Sequence, residues 1–162
     1  MRILASGMTN FNTNIIEKFC KDPIASIRLL HYPPHPDIED ASLVGAGAHT
    51  DFGAITLLLQ DGNSGLQVLR QDTSEWIDVL PRPDAYVVNV GDMLDVWTNG
   101  AYKSTVHRVI NTSGAERYSI PFFFDGNPDC RIESLATSAE AMKGKSFTVE
   151  EHMLSRYAAS FK

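Results

Sequence analysis

The hydrophobic positions begin with helical spacing and then shorten into strand-like runs. Ile15, Ile16 and Phe19 follow Asn12 and Thr13, either of which caps a short helix that Asp22-Pro23 ends. Residues 27–32 form a strand candidate stopped by Pro33-Pro34, and residues 33–40, with three prolines and three acids, read as a loop. Short runs at 44–49 and 54–60 follow, then the tight-turn signal Asp61-Gly62 and an alternating stretch at 65–70. Residues 75–80 and 85–90 are separated by Pro81 and Pro83. Residues 93–98, Asn99-Gly100 and 103–110 read as a hairpin. Residues 117–124 are a further strand, and Pro121 inside it points to an edge or a bulge. At the C-terminus Thr148 and Glu151 form a capping-box pair. Val149, Met153, Leu154, Tyr157 and Phe161 recur after it with helical period, so one amphipathic helix is expected to cover a sheet face. Many short strands with a helix at each end predict a mainly β chain, a double-sheet jelly roll.

Composition narrows the function classes. A chain of 162 residues with 43% hydrophobic and 21% charged positions is one ordinary globular domain spanning residues 1–162. The formal net charge of −6 argues against binding nucleic-acid phosphates or an anionic membrane surface, and points to a small-molecule or protein partner. The two cysteines, Cys20 and Cys130, cannot form a disulfide framework, which fits a reducing interior. The N-terminus lacks the apolar stretch of a signal peptide, and no apolar run is long enough to span a bilayer. A cytoplasmic location is therefore expected.

The chemistry gathers at few positions. His49-Thr50-Asp51 is an H-x-D triplet at the end of a strand-like run, where positions i and i+2 share a face. Alone the triplet is common by chance. His107, on a strand expected in the same barrel, supplies a second imidazole. Two imidazoles and one carboxylate on one side of a metal leave the opposite side open, as non-haem Fe(II) oxygen chemistry requires, whereas structural zinc prefers four closed ligands. Arg117 and Ser119 are again i and i+2 on a strand. A guanidinium grips a carboxylate through two parallel hydrogen bonds and a neighbouring hydroxyl adds a third. The same Arg could equally pair with Glu116 or water at the surface. Trp76 and Trp97 read as core, and alternate rings of Phe122, Phe123 and Phe124 face opposite sides. Asn89 and Asp92 read as turn residues, His31, His35 and His152 as histidines without a partner pattern, and Lys103 and Arg108 as surface charges.

His49-Thr50-Asp51-Phe52-Gly53, Gly91-Asp92, Asn99-Gly100-x-Tyr102-Lys103-Ser104-x-x-His107-Arg108-Val109 and Glu116-Arg117-x-Ser119, with Tyr32-Pro33 ahead of them, resemble the Fe(II)/2-oxoglutarate-dependent dioxygenases of the isopenicillin N synthase-like superfamily. The resemblance runs from about residue 27 to 124. It implies a double-stranded β-helix, or jelly roll, in which His49, Asp51 and His107 are the catalytic metal ligands for Fe(II). It also implies that Arg117 and Ser119 hold the distal carboxylate of 2-oxoglutarate and that Tyr32 donates a hydrogen bond to it. Oxidative decarboxylation of 2-oxoglutarate by O2 to succinate and carbon dioxide would drive oxidation of a small organic substrate. The family usually carries a substantial region ahead of the first helix, and its absence here would open the substrate pocket and leave a sheet edge through which chains could pair. Two other readings stay open on the sequence: an iron oxidase of the same superfamily that does not use 2-oxoglutarate, and a non-catalytic metal-binding or interaction module.

Overall fold

The computed structural model describes residues 1–7, 13–34, 45–111, 113–133 and 146–160. The Asn12 cap, His35, the loop beyond residue 34, the start of the run at Val44 and Phe161 lie outside them. Two short N-terminal helices, α1 (Arg2–Ser6) and α2 (Thr13–Phe19), precede β1 (Ile24–Ile27), β2 (Leu30–Tyr32), β3 (Ala46–His49), β4 (Ile55–Gln60), β5 (Leu66–Leu69), β6 (Trp76–Asp78) and β7 (Val87–Val90). Then come α3 (Asp92–Trp97), β8 (His107–Val109), β9 (Arg117–Gly126), β10 (Arg131–Glu133), β11 (Ser146–Thr148) and α4 (Val149–Ser160).

The strands pair antiparallel in a nested series: β2 with β9, β3 with β8, β4 with β7 and β5 with β6. Successive pairs alternate between a five-stranded sheet, β1-β9-β4-β7 with β2 also on β9, and a four-stranded sheet, β3-β8-β5-β6. That nesting is the jelly roll expected from the strand spacing. A cavity of about 390 Å³ opens between the sheets, lined from one by Leu30, Thr56, Leu58 and Pro121 and from the other by Leu66 and Val68.

Three elements differ from the expectation. The segment at 93–98 is α3, not a strand. Met93, Leu94, Val96 and Trp97 are buried and share one helical side, while Asp92 and Asp95 occupy the first turn, where negative charge is favoured. Asn99 and Gly100 take positive φ (51° and 79°) at the end of that helix. The left-handed signal in Asn-Gly serves a helix terminus as well as a hairpin. Pro121 lies in a central strand, since β9 pairs with β4 on one side and with β1 and β2 on the other. The Pro121 carbonyl accepts from Arg28 N–H at 3.1 Å, so its missing donor faces the break between β1 and β2. The run read as one strand at 27–32 is accordingly split there.

The core lies where the helices gather at one end of the sandwich. Ile16, Phe19, Ala54, Met93, Leu94, Trp97, Ile132, Val149 and Met153 form one buried cluster. Phe19 meets Trp97 at 4.8 Å between ring centroids, and the Gly126 backbone lies so close that a Cβ would fall 2.1 Å from the Phe19 ring. Trp97 is core as expected; half-buried Trp76 instead carries Arg108, 3.9 Å over its ring. The capping box closes α4: Thr148 N–H donates to Glu151 Oε2 (2.8 Å) and Glu151 N–H to Thr148 Oγ1 (3.1 Å). α4 meets the loop after β3 and α3, through Tyr157 edge-on to Phe52 and Arg156 against Asp92, and its Met153 and Tyr157 line a cavity with Ser26 and Phe123 of the five-stranded sheet. Leu154 is 62% exposed, so the apolar stripe is only partly buried.

Candidate metal and co-substrate site

Pairing of β3 with β8 sets His49 directly opposite His107, and Val68 of β5 flanks His107 on its other side. The two rings lie 4.4 Å apart. His49 Nδ1 lies 2.6 Å from the Gly47 carbonyl and His107 Nδ1 3.1 Å from the Thr105 carbonyl. A carbonyl only accepts, so each Nδ1 carries the proton and each Nε2 keeps a lone pair for a metal. Asp51 lies two residues past the end of β3, at the same i and i+2 spacing from His49 that the sequence shows. The chain bends over residues 52–54, just after Asp51. Asp51 Oδ1 lies 3.6 Å from His107 Nε2, and one donor atom from each of His49, Asp51 and His107 falls within 4.8 Å of the others.

The bend is fixed by backbone contact. Asp92 N–H donates to the Asp51 carbonyl (2.9 Å), Met93 N–H to the Gly53 carbonyl (3.1 Å), and Gly91 N–H to the Ala54 carbonyl (2.9 Å). A Cβ at Gly91 would sit 2.2 Å from the Gly53 oxygen, so only glycine allows the start of α3 to press on this loop. The Asp51 side chain, in a residue only 6% exposed, accepts a 2.6 Å hydrogen bond on Oδ2 from Asn89 Nδ2. Asn89 is therefore part of the site and not a turn residue. Arg156 of α4 donates to Thr50 Oγ1 (3.0 Å) and faces Asp92 at 3.4 Å, while Ser104 Oγ donates to Asp92 Oδ1 (2.8 Å). This tether joins the terminal helix to the residue between His49 and Asp51.

A second cluster lies in the same cavity. Tyr32 pairs directly with Arg117, and Ser119 with both Leu30 and Gln60, so Tyr32, Arg117, Ser119 and Gln60 share one face. Arg117 is 0% exposed. Its guanidinium donates to Gln60 Oε1 (2.8 Å), reaches Ser119 Oγ at 3.5 Å, and lies 5.1 Å from the Tyr32 ring centre. Its Nε has no hydrogen-bond partner among the described residues. Burial pushes the Arg117 pKa down, against the opposing pull of Tyr32 and the Asp61 charge. A buried guanidinium bonded to neutral groups, with a donor to spare, suits an arriving carboxylate. His31, by contrast, is not partnerless: it contacts Glu116 and stacks on Tyr118, outside this cluster. His152 packs on the Phe147 ring.

Two acids frame the site electrostatically. Burial, reinforced by the Asp51 charge and opposed by Arg28, pushes the Asp125 carboxyl up to about 6. Asp61 goes the other way: burial raises it, but hydrogen bonds from the Tyr118 and Asn63 amides and the Asn63 side chain outweigh that and hold it below the ordinary value. Sequence patterns single out His49, Asp51 and His107, and Arg117 with Ser119. They give no signal for Asn89, Gln60, Asp125 or Arg156, whose partners are 38 residues or more away in the chain for Asn89, Gln60 and Arg156.

Two imidazole nitrogens and one carboxylate oxygen, without thiolate, suit a non-haem Fe(II). The Arg117 Nε, without a hydrogen-bond partner among the described residues, lies in the same cavity as this donor set. Comparison with known proteins places the chain in this class. The family model of the 2OG-Fe(II) oxygenase superfamily matches residues 23–126, and the chain belongs to that superfamily. It is similar to the 2-oxoglutarate-dependent dioxygenase citB of Monascus ruber, 48% identical over 98% of this chain and 49% of that protein. It is also similar to the 2-oxoglutarate-Fe(II) type oxidoreductase hxnY of Emericella nidulans, 51% identical over 85% of this chain and 41% of that protein. Among solved structures, a full-length Neurospora crassa protein in complex with alpha-KG and thymine superposes with a TM-score of 0.89 at 35% identity, over 99% of this chain and 51% of that one. The chain thus spans about half the length of the relatives it matches. No described helix is long and apolar enough to cross a membrane.

Proposed function

We propose that this chain carries the metal and co-substrate site of an Fe(II)- and 2-oxoglutarate-dependent dioxygenase acting on a small organic molecule. The carrying observation is the convergence of His49, Asp51 and His107 in the cavity that also holds Arg117, whose Nε has no partner among the described residues. His49 and His107 present Nε2 and Asp51 presents Oδ1 to Fe(II). Arg117 and Ser119 hold the distal carboxylate of 2-oxoglutarate, with Tyr32 beside them donating its hydroxyl. Bound Fe(II) supplies the O2 chemistry that couples decarboxylation of 2-oxoglutarate to oxidation of the substrate. Leu30, Leu58, Leu66, Val68, Val87 and Pro121 keep the space between the two anchors poor in water. The protein's own part is to orient two ligands through one backbone-fixed loop and one buried guanidinium. The acidic charge and two cysteines support a cytoplasmic enzyme with a small-molecule partner, neither nucleic acid nor membrane.

The test is conversion of 2-oxoglutarate to succinate in air with added Fe(II). Turnover is expected without any added substrate and is expected to vanish in His49→Ala and Asp51→Ala proteins. A folded wild-type protein with neither turnover nor Fe(II) affinity refutes the proposal.

A further inference from the structure

Asn89 sits in β7, opposite Thr56 of β4, with its side chain in the cavity. Its Nδ2 lies 2.6 Å from Asp51 Oδ2, while the other oxygen of the same carboxylate, Oδ1, faces His107 Nε2 at 3.6 Å. The two oxygens of Asp51 thus have different partners: one is held by an amide from the opposite sheet, the other is turned to the imidazoles. We infer that Asn89 is a positioning residue that keeps Asp51 a one-oxygen ligand, an inference that rests on the reading of Asp51 as a metal donor.

The chemical consequence concerns how many positions stay open. A six-coordinate Fe(II) with two imidazoles and one carboxylate oxygen has three positions left. A 2-oxo acid needs two of them and O2 the third. Carboxylates bind cations through one or both oxygens, and the choice is set by what else binds the second one. If Oδ2 also reached the metal, it would compete with 2-oxoglutarate. An amide suits this task because it occupies Oδ2 with a hydrogen bond while leaving the carboxylate its full negative charge; a lysine or arginine there would neutralise it. Asn89 can be rigid because β7 pairs with β4, a strand central to the five-stranded sheet, and Asp51 meets it from a loop whose backbone α3 pins.

The experiment compares wild type with Asn89→Leu, similar in size and without a donor, and with Asn89→Ala in case the first does not fold. Under anaerobic conditions, Fe(II) affinity is read by competition with a chromogenic chelator. Chelation of 2-oxoglutarate is then read from the visible charge-transfer band of the Fe(II)–2-oxo acid pair. The expected result is near-native Fe(II) affinity with 2-oxoglutarate chelation weakened by about 10–100-fold, the same order as the loss in affinity or activity on removing an outer partner of a metal ligand. Native chelation in either folded variant overturns the inference while leaving the metal reading intact. Parallel loss of Fe(II) and 2-oxoglutarate affinity also overturns it, since Asn89 would then only support the fold. Absence of Fe(II) binding in the wild type overturns both.

Discussion

Replacing Arg117 with methionine separates the co-substrate role of this side chain from its place in the core. The side chain is 0% exposed and its spare donor is Nε. A carboxylate held by Nε and a neighbouring Nη gains charge-assisted hydrogen bonds worth about 3 kcal/mol, a factor of about 150 in Kd. With Mn(II) in place of Fe(II), without oxygen, and with 2-oxoglutarate at about 100 times its Kd, ligand binding stabilises the wild type by about 2.7 kcal/mol. For a chain of this length that raises Tm by about 5–11 °C. In Arg117→Met the same ligand concentration falls near or below the new Kd, so the stabilisation drops to about 0.4 kcal/mol or less and the rise to under about 2 °C. The apo protein is expected to lose little Tm, because a buried cation without a carboxylate partner leaves together with its hydrogen bonds. Differential scanning fluorimetry with and without 2-oxoglutarate reads both quantities. A wild-type-sized ligand shift in Arg117→Met refutes the assignment of Arg117 to the distal carboxylate.

Three further outcomes follow from the same geometry. In metal-free protein the Asp125 pKa of about 6, against an ordinary 3.8, means the folded state favours the protonated acid. Its contribution is complete below about pH 4 and lost as pH rises through about 6, up to about 3 kcal/mol. Asp125→Asn should therefore become more stable relative to wild type as pH rises between those values, and urea unfolding in EDTA that shows a constant difference contradicts this. Thr148→Ala removes half of the capping box and should lower Tm by about 2–4 °C, from about 1 kcal/mol, without altering the 2-oxoglutarate shift. Gly91→Ala puts a Cβ 2.2 Å from the Gly53 oxygen and should weaken Fe(II) binding by moving the Asp51 loop; native affinity would show that α3 does not hold that loop in place.

Residue types and spacings are enough to find the chemical groups. His49, Asp51, His107, Arg117 and Ser119 stand out because metal ligation and carboxylate binding demand particular side chains, and strand geometry puts i and i+2 on one face. That alternation does unite Arg117 and Ser119, both on β9. His49 ends β3 and Asp51 follows two residues later, where their donor atoms converge. The capping box is legible for a local reason: its partners are three residues apart. The segment at 93–98 departs from the expected strand because Asn-Gly marks positive φ without saying whether a hairpin or a helix end uses it. Pro121 departs from the expected edge because the break between β1 and β2, which accommodates its missing N–H, forms about ninety residues earlier in the chain.

By itself, then, the chain's order of residues determined which groups exist, the β character of the segments and the helix that closes the C-terminus, because these depend on bonds and periods within a few residues. Tertiary structure alone decided that Asn89 grips Asp51, that Gln60 holds Arg117 and that the start of α3 bonds to the backbone of the 51–54 loop. Those contacts join strands and helices distant in the sequence, and only the registers of the paired strands and the packing of the two sheets bring such side chains within hydrogen-bonding reach.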